Sequence, residues 1–279
     1  MTQQPFQLQH ETYLNSPIWE KLNDELVVGF TTKNGGISCG DFDSLNLGLH
    51  VLDKPENVVL NRRRLADELK SPLENWICAD QVHDSSIYKV SQSDRGKGIL
   101  DYESAIRATD GLYTQEENLM LALCYADCVP LYFYEHEKKL IGTAHAGWKG
   151  TVKDIGGKMI QTWIKDEEAD AASIYAIIGP SIGPCCYVVD DYVIEKVNQV
   201  IRNTDALPYH EVSAGQYSLD LKQLNKQLLI HAGVKEDRIL TSSLCTSCES
   251  SKFFSHRRDS GSTGRMFSFI GFTRRRKQL

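Results

Sequence analysis

The stretch of residues 119–148, LMLALCYADCVPLYFYEHEKKLIGTAHAGW, decides the fold of this chain. Its apolar residues form runs at 119–124, 129–134 and 140–144. Each run is too short for a helix, and together they predict neighbouring strands of a buried sheet. The first two runs are separated only by a short segment centred on Ala126-Asp127-Cys128. A polar interruption there is unusual in a buried sheet unless these residues have a role of their own.

Apolar patterns elsewhere in the chain predict a mixed arrangement of strands and helices. Further strands are expected at residues 87–90, 111–113, 174–178, 239–240 and 266–270. Amphipathic helices are expected at residues 149–165, 190–201 and 219–231, where apolar residues recur at helical spacing. Because strands and helices alternate only partly, we predict an α+β fold with mixed β-sheets packed against helices. No repeat or linker divides the chain, so residues 1–279 are expected to form a single domain.

The composition excludes several classes of function. The chain has 279 residues and a formal net charge of −6, which argues against a general nucleic-acid surface. Its one basic run, residues 274–277, is expected to be a solvated tail. Residues 1–5 lack the pattern of a signal peptide, and no stretch has the apolar length of a transmembrane helix. We therefore expect a cytoplasmic protein that binds neither nucleic acid nor membrane.

Eight cysteines are present, and in a reducing compartment they serve as core residues, metal ligands or catalysts. Cys245 and Cys248 form a CxxC pair, but no second CxxC completes a zinc ribbon. Cys185 and Cys186 are adjacent in sequence, and adjacent thiols rarely form a disulfide. We expect both pairs to be packing or loop residues, with Cys245 or Cys248 near a functional pocket as the alternative.

Three separated residues, His83, Cys128 and His145, are candidate metal ligands. Two imidazoles and one thiolate are too few for a closed structural zinc site. They suit a catalytic site, which keeps one position open for water or substrate. Their spacing matches no compact local motif. From spacing alone, packed histidines and a small buried cysteine are the alternatives.

Four further polar residues are candidates for contacting a ligand. Asn46 lies in a loop with apolar flanks, and Arg62 begins a basic run in a predicted helix. Lys149 follows His145 at a strand-to-helix junction, where free N–H groups suit an anion. Arg258 lies in the arginine-rich and glycine-rich loop 253–265, and arginine forks suit phosphate or carboxylate. The apolar flanks of Asn46 indicate an ordered loop, so its amide could make a specific hydrogen bond. For the other three residues the alternatives are a solvated helix face at Arg62, an ordinary strand-to-helix turn at Lys149 and a solvated surface loop at Arg258.

The chain resembles the laccase-domain family of YfiH/YlmD-type proteins, also called multicopper polyphenol oxidase-like proteins. The resemblance covers nearly the whole chain and depends on many ordered segments. These segments are Gly29-Phe30-Thr31-Thr32, Gly35-Gly36, Ser44-Leu45-Asn46-Leu47-Gly48, Asn61-Arg62, Gln81-Val82-His83, Thr109-Asp110-Gly111, Ala126-Asp127-Cys128-Val129-Pro130, His145-Ala146-Gly147-Trp148, Ile178-Gly179-Pro180-Ser181-Ile182-Gly183, Cys245-Thr246, Ser255-His256-Arg257-Arg258-Asp259 and Thr263-Gly264-Arg265. One departure is Val188-Val189, where an acidic residue is expected after Tyr187; it leaves the role of that loop open.

The resemblance implies a YfiH-like fold and zinc bound by His83, Cys128 and His145, with copper as the alternative ion. It also implies phosphorolysis of adenosine, inosine, guanosine and S-methyl-5'-thioadenosine, together with deamination of adenosine. Asp127, next to the thiolate, is then a candidate for orienting a ligand. The candidates for binding phosphate or the nucleoside are Asn46, Arg62, Lys149 and Arg258.

Three other functions compete with this interpretation. Two histidines and one cysteine also form the ligand set of blue copper, but the chain has no His-x-His pair, so a copper polyphenol oxidase is disfavoured. A cysteine hydrolase would use Cys128 as nucleophile and a histidine as base. The resemblance also implies a link to the correction of peptidoglycan precursors, which would suit such a hydrolase. A binding module would hold nucleosides without turnover. The preferred expectation is a zinc enzyme that is a monomer or weak homodimer.

Overall fold

The computed structural model describes residues 4–273, so the basic run at 274–277 lies outside the described residues. Its strands are β1 (Gln7–His10), β2 (Tyr13–Asn15), β3 (Leu26–Thr31), β4 (Trp76–Cys78), β5 (Ile87–Lys89), β6 (Gly111–Thr114), β7 (Met120–Tyr125), β8 (Val129–Glu135), β9 (Leu140–Ala146), β10 (Tyr175–Ile178), β11 (Val188–Asp190), β12 (Tyr209–Ser213), β13 (Gln216–Leu219), β14 (Ile239–Thr241) and β15 (Met266–Phe272). Its α-helices are α1 (Pro17–Glu20), α2 (Pro55–Glu68), α3 (Trp148–Val152), α4 (Ile155–Glu167), α5 (Asp191–Asn198) and α6 (Leu221–His231). Among the described residues, no helix is both long and apolar enough to cross a membrane.

The strands form two large sheets and one small one. The first sheet has the order β1-β2-β3-β15-β7-β4, and the second has the order β14-β10-β8-β9-β6-β5. Both sheets are mixed: β4 pairs in parallel with β7 in the first, and β10 with β14 and β5 with β6 pair in parallel in the second, whereas the other neighbours are antiparallel. The small sheet has the order β11-β13-β12. The predicted α+β fold with mixed sheets is therefore confirmed.

The polar interruption at residues 126–128 is the point where the chain passes from one large sheet to the other. β7 belongs to the first sheet and β8 to the second. Leu123 and Tyr132 face the core between the two sheets, because alternate residues of a strand point to opposite faces. Ala122 packs on the outer side with residues of α2, and Phe133 packs with residues of α4 and α6. Helices thus cover the outer faces of both large sheets. Because β7 and β8 are therefore buried on both sides, their sequences are continuous apolar runs.

The predicted helix at residues 149–165 is two helices, α3 and α4. Asp154 separates them because its backbone has a φ of 56°, in the left-handed region. Its carboxylate accepts a hydrogen bond of 2.9 Å from the N–H of Gly157 and so caps α4. The predicted apolar stripe is nevertheless buried, at Met159, Ile160 and Trp163.

Arg62, a candidate for binding phosphate, instead fastens α2 to two loops. Its guanidinium donates hydrogen bonds of 2.6–2.9 Å to the carbonyl oxygens of Leu47, Gly98 and Ile99. The residue is 3% exposed, and its Cζ lies 4.9 Å from the ring centroid of Phe267. A buried cation with its donors used in this way is a structural element of the fold.

Arg62→Ala should lower the free energy of unfolding by about 3 kcal/mol, because three buried carbonyls lose a charged donor. Urea denaturation of the variant and of the wild-type chain measures the difference. Arg63→Ala is the matched control: Arg63 is exposed on the same helix, and its loss should change stability by less than about 0.5 kcal/mol. Equal stability of the two variants would show that the Arg62 contacts contribute nothing.

Candidate metal centre and its cavity

The structure brings together the three predicted ligands, which are far apart in sequence. Their ligand atoms on His83, Cys128 and His145 lie within 4.8 Å of one another. The two imidazole rings meet edge to face, with centroids 4.7 Å apart. The described residues thus contain a cluster of two imidazoles and one thiol that can hold a metal ion. Because its members are far apart in sequence, they form no compact sequence motif.

Strand pairing explains how Cys128 and His145 meet. Cys128 directly precedes β8, and His145 lies on β9, its antiparallel neighbour, opposite Pro130. Gly147 lies beside them, and a Cβ there would be 2.9 Å from the Cys128 Sγ and 3.2 Å from the His83 ring. Only glycine leaves room for the cluster at this position.

Asp110 orients the cluster, although the sequence indicated it only as part of a family motif. Its fully buried carboxylate lies 2.8 Å from Nδ1 of His145. It also accepts the backbone N–H groups of Val82, His83 and Asp84 at 2.9–3.2 Å. Burial alone would raise the pKa of this carboxyl, but His145 and these N–H groups lower it. Asp110 therefore holds both the His83 loop and the His145 ring, leaving Nε2 of His145 to face the metal position.

The surroundings of Cys128 favour the ionised form of its thiol. Burial alone would raise its pKa, but the charge and hydrogen bonds of His145 and His83 outweigh burial and lower the pKa to about 6. Burial would also lower the pKa of His145, whereas the Cys128 thiolate and Asp110 raise it. A thiolate and two imidazoles suit zinc or copper, so the donor chemistry of these residues fits a bound metal.

Asp127 positions Cys128 through its contacts with other loops. Its φ is 83°, a conformation that favours glycine. Its carboxylate accepts hydrogen bonds from the Thr246 and Ser255 hydroxyls at 2.7 and 3.0 Å, and from the Arg257 N–H at 2.7 Å. Within residues 4–273, none of the three ligand side chains is among its hydrogen-bond partners. Asp127 is thus a positioning residue for the loop that carries Cys128.

A cavity of about 210 Å³ opens over the ligand cluster. Besides the three ligands it is lined by His50, Ala79, Gln81, Tyr102, Cys124, Ala126, His256 and Arg265. Arg265 donates from Nη1 to the carbonyls of Thr263 and Gly264 at 2.8 and 3.0 Å. Among the described residues, Nε and Nη2 of Arg265 have no hydrogen-bond partner. The cavity therefore contains one cationic group with free donors.

The structure does not bring the predicted substrate residues into this cavity. Asn46 is fully buried, and its Oδ1 accepts the backbone N–H of Gly48 and of Arg265 at 3.0 and 2.9 Å. Arg258 donates to main-chain carbonyls, including that of Thr246 at 3.0 Å, and to the neighbouring carboxylate. Lys149 is exposed, with its ammonium 5.7 Å from the ring centroid of Trp148. The sequence alone does not place His50, Tyr102 and Arg265 at this cavity, because each lies in a loop whose position beside the ligand cluster depends on the tertiary fold.

Comparison with known proteins gives consistent matches. Residues 27–273 match the family described as multi-copper polyphenol oxidoreductase laccase. The chain is 50% identical over 273 residues to purine nucleoside phosphorylase YlmD of Bacillus subtilis, covering 97% of this chain and 98% of that protein. It is 53% identical over 245 residues to purine nucleoside phosphorylase YlmD of Geobacillus stearothermophilus, covering 88% and 89%. The crystal structure of hypothetical protein YfiH from Bacillus licheniformis superposes with a TM-score of 0.94 at 50% identity, covering 96% and 99%.

Asp110→Asn should weaken Zn²⁺ binding at this centre by about 10–100-fold, because the amide keeps the shape but loses the charge that orients His145. Competition with a chromophoric chelator measures the dissociation constant, with Cys128→Ala protein as the baseline that lacks this centre. Asp84→Asn is the matched control, since its half-exposed carboxylate pairs with Lys153 at 2.8 Å. If both variants bind Zn²⁺ as the wild type does, Asp110 does not orient the centre.

Proposed function

The chain belongs to the multi-copper polyphenol oxidoreductase laccase family, and from this premise we propose that it is a zinc-dependent purine nucleoside phosphorylase. It converts adenosine, inosine, guanosine or S-methyl-5'-thioadenosine, together with phosphate, into the free base and a ribose 1-phosphate. We include deamination of adenosine as a second activity. The observation that carries the proposal is the His83, Cys128 and His145 cluster, beside a cavity that holds one free cationic group. Its relatives' names give the substrate class.

The histidine content argues against a copper oxidase, in spite of the family's description. The sequence contains eight histidines and no His-x-His pair. Such an enzyme needs many more imidazoles to hold several copper ions. Copper remains the alternative ion for the three-ligand centre, because the same ligand types bind it.

In phosphorolysis a phosphate oxygen forms a bond to C1′ of the ribose while the bond from C1′ to the purine nitrogen breaks. The base leaves with the electron pair of that bond. Zinc, when bound, supplies a Lewis acid at the floor of the cavity. Arg265 holds the phosphate through its free Nε and Nη2 donors, since a guanidinium fork matches two phosphate oxygens. The bound dianion in turn stabilises the positive charge that develops on the ribose.

The cavity also restricts how the nucleoside is held. Its volume of about 210 Å³ is below the ~300–1,000 Å³ of typical ligand pockets. We therefore propose that one part of the nucleoside stays at the mouth, where exposed His50 and His256 lie. His50 packs against the Tyr102 ring, with centroids 5.8 Å apart. We further propose that the enzyme is cytoplasmic and acts on small molecules as a monomer or weak homodimer.

A cysteine hydrolase is the second candidate, because a specific arrangement favours it. The His145 imidazole lies between the Cys128 thiol and the Asp110 carboxylate and interacts with both. This is the arrangement of a nucleophile, its base and the group that orients the base. Such an enzyme would use the same residues without metal, with peptidoglycan precursors as candidate substrates. Metal content and thiol reactivity separate the two candidates.

The decisive experiment incubates metal-analysed protein with inosine or adenosine, with and without phosphate, and separates the products by chromatography. We expect hypoxanthine and ribose 1-phosphate from inosine only when phosphate is present, and inosine as a further product from adenosine. Cys128→Ala should lose both activities and about one zinc per chain. Cys39→Ala, which removes an exposed thiol away from the cavity, should behave as wild type. Unchanged nucleosides, with a metal-free Cys128 that alkylates readily, would favour the hydrolase.

Arg265→Ala should raise the KM for phosphate by about tenfold to a hundredfold, because charged hydrogen bonds to the phosphate are lost. The KM for inosine should change much less. Arg257→Ala is the matched control, since Arg257 is exposed in the same loop and its Nη1 donates to the Val188 carbonyl at 2.9 Å. A KM for phosphate that stays the same in Arg265→Ala would place the phosphate elsewhere.

A further inference from the structure

Four loop cysteines outside the cavity form a second cluster, which the sequence did not predict. Cys185 and Cys186 lie between β10 and β11, and Cys245 and Cys248 lie after β14. Their four sulfur atoms lie within 4.8 Å of one another. Sγ of Cys248 is 3.5 Å from that of Cys185 and 3.4 Å from that of Cys186.

We propose that these four thiolates bind a second zinc ion in a closed structural site. Zn–S bonds of about 2.3 Å in a tetrahedron place the sulfurs ~3.8 Å apart, which agrees with the observed spacing. A disulfide would require about 2.05 Å, and all four cysteines are free. Four protein ligands leave no open position, so this site has no part in binding substrate. The inference is independent of the proposed nucleoside activity.

The surroundings of the cluster suit a zinc–tetrathiolate site. The N–H of Gly183 donates to Sγ of Cys245 at 3.2 Å, as expected for a thiolate acceptor. A Cβ at Gly183 would lie 3.3 Å from Sγ of Cys185, so glycine allows the two loops to approach closely. Four thiolates around Zn²⁺ carry a net negative charge. Lys222, 6% exposed and lining one cavity together with Cys185 and Cys245, supplies a buried cation that offsets it.

The proposed zinc would fasten the loop that positions the first metal centre. The Thr246 N–H donates to the carbonyl of Ser181 at 3.1 Å, so the two cysteine-bearing loops already meet there. The Thr246 hydroxyl in turn donates to Asp127, the residue before Cys128. The Ile182 N–H, in the loop of Cys185 and Cys186, also donates to the Asp127 carbonyl at 2.9 Å. The cluster therefore stabilises a loop pair that is joined to Asp127, the neighbour of Cys128, by two hydrogen bonds.

The test uses the full-length chain, purified anaerobically with a thiol reductant and without added metal. Zinc is counted by plasma mass spectrometry, and the zinc ligands are identified by X-ray absorption on Cys128→Ala protein. We expect Cys128→Ala to keep about one zinc, with four sulfur neighbours at about 2.3 Å. The Cys245→Ser, Cys248→Ser double variant should lose that zinc, whereas Cys39→Ser should lose none.

Because the double variant can fail to fold, wild-type protein provides an independent measurement. Alkylation followed by peptide mass mapping should leave the four clustered cysteines unlabelled until a chelator is added with denaturant, while Cys39 reacts at once. Three results would overturn the proposal: no zinc in Cys128→Ala protein, iron in place of zinc, or disulfides among Cys185, Cys186, Cys245 and Cys248. All three results are read from metal content or thiol chemistry, so they test the second zinc site separately from the proposed nucleoside activity.

Discussion

The passage of the chain between its two large sheets at residues 126–128 is the constraint on which the rest of the structure depends. A φ of 83° at Asp127 is costly, by about 1–3 kcal/mol, and this charged residue is only 7% exposed. Both penalties are offset because Thr246, Ser255 and Arg257 supply three donors. The segment 126–128 therefore holds these loops together, and it places Cys128 at a defined position just before β8.

Two strand registers then assemble the candidate metal centre. The pairing of β8 with β9 places Cys128 beside Gly147, and the pairing of β6 with β9 places Asp110 beside His145. The His145 N–H donates to the Asp110 carbonyl at 2.7 Å, so backbone and side chain join the same two residues. Because a slip of one residue would turn His145 to the other face of the sheet, the buried apolar pattern of β8 and β9 fixes the centre.

Much of the fold could be predicted from the sequence. A local irregularity of the backbone and the contacts between residues far apart in the chain could not. Short apolar runs predicted β7, β8 and β9 because both faces of these strands are buried. The break at Asp154 was missed, since an αL residue inside an apolar stripe has no periodic signal. The thiol cluster was also missed, because its two pairs are up to 63 residues apart and only the folded loops bring them together. Residue type and family resemblance together indicate the three ligands of the first centre, whereas Arg265 belongs to a family segment without any role predicted for it.

The arginines show why residue type alone misplaces a binding group. The guanidinium of Arg62 donates to the carbonyl of Leu47, and the N–H of Leu47 donates to the carbonyl of Arg265. Asn46 accepts the N–H of Arg265. The two candidates from the sequence, Arg62 and Asn46, thus hold the backbone of the arginine that lines the cavity. A buried arginine with its donors used is unavailable to a ligand, whereas Arg265 keeps Nε and Nη2 free within the described residues. Loss of Arg62 or Asn46 should therefore change the position of Arg265, so that any effect on the proposed phosphate contact would be indirect.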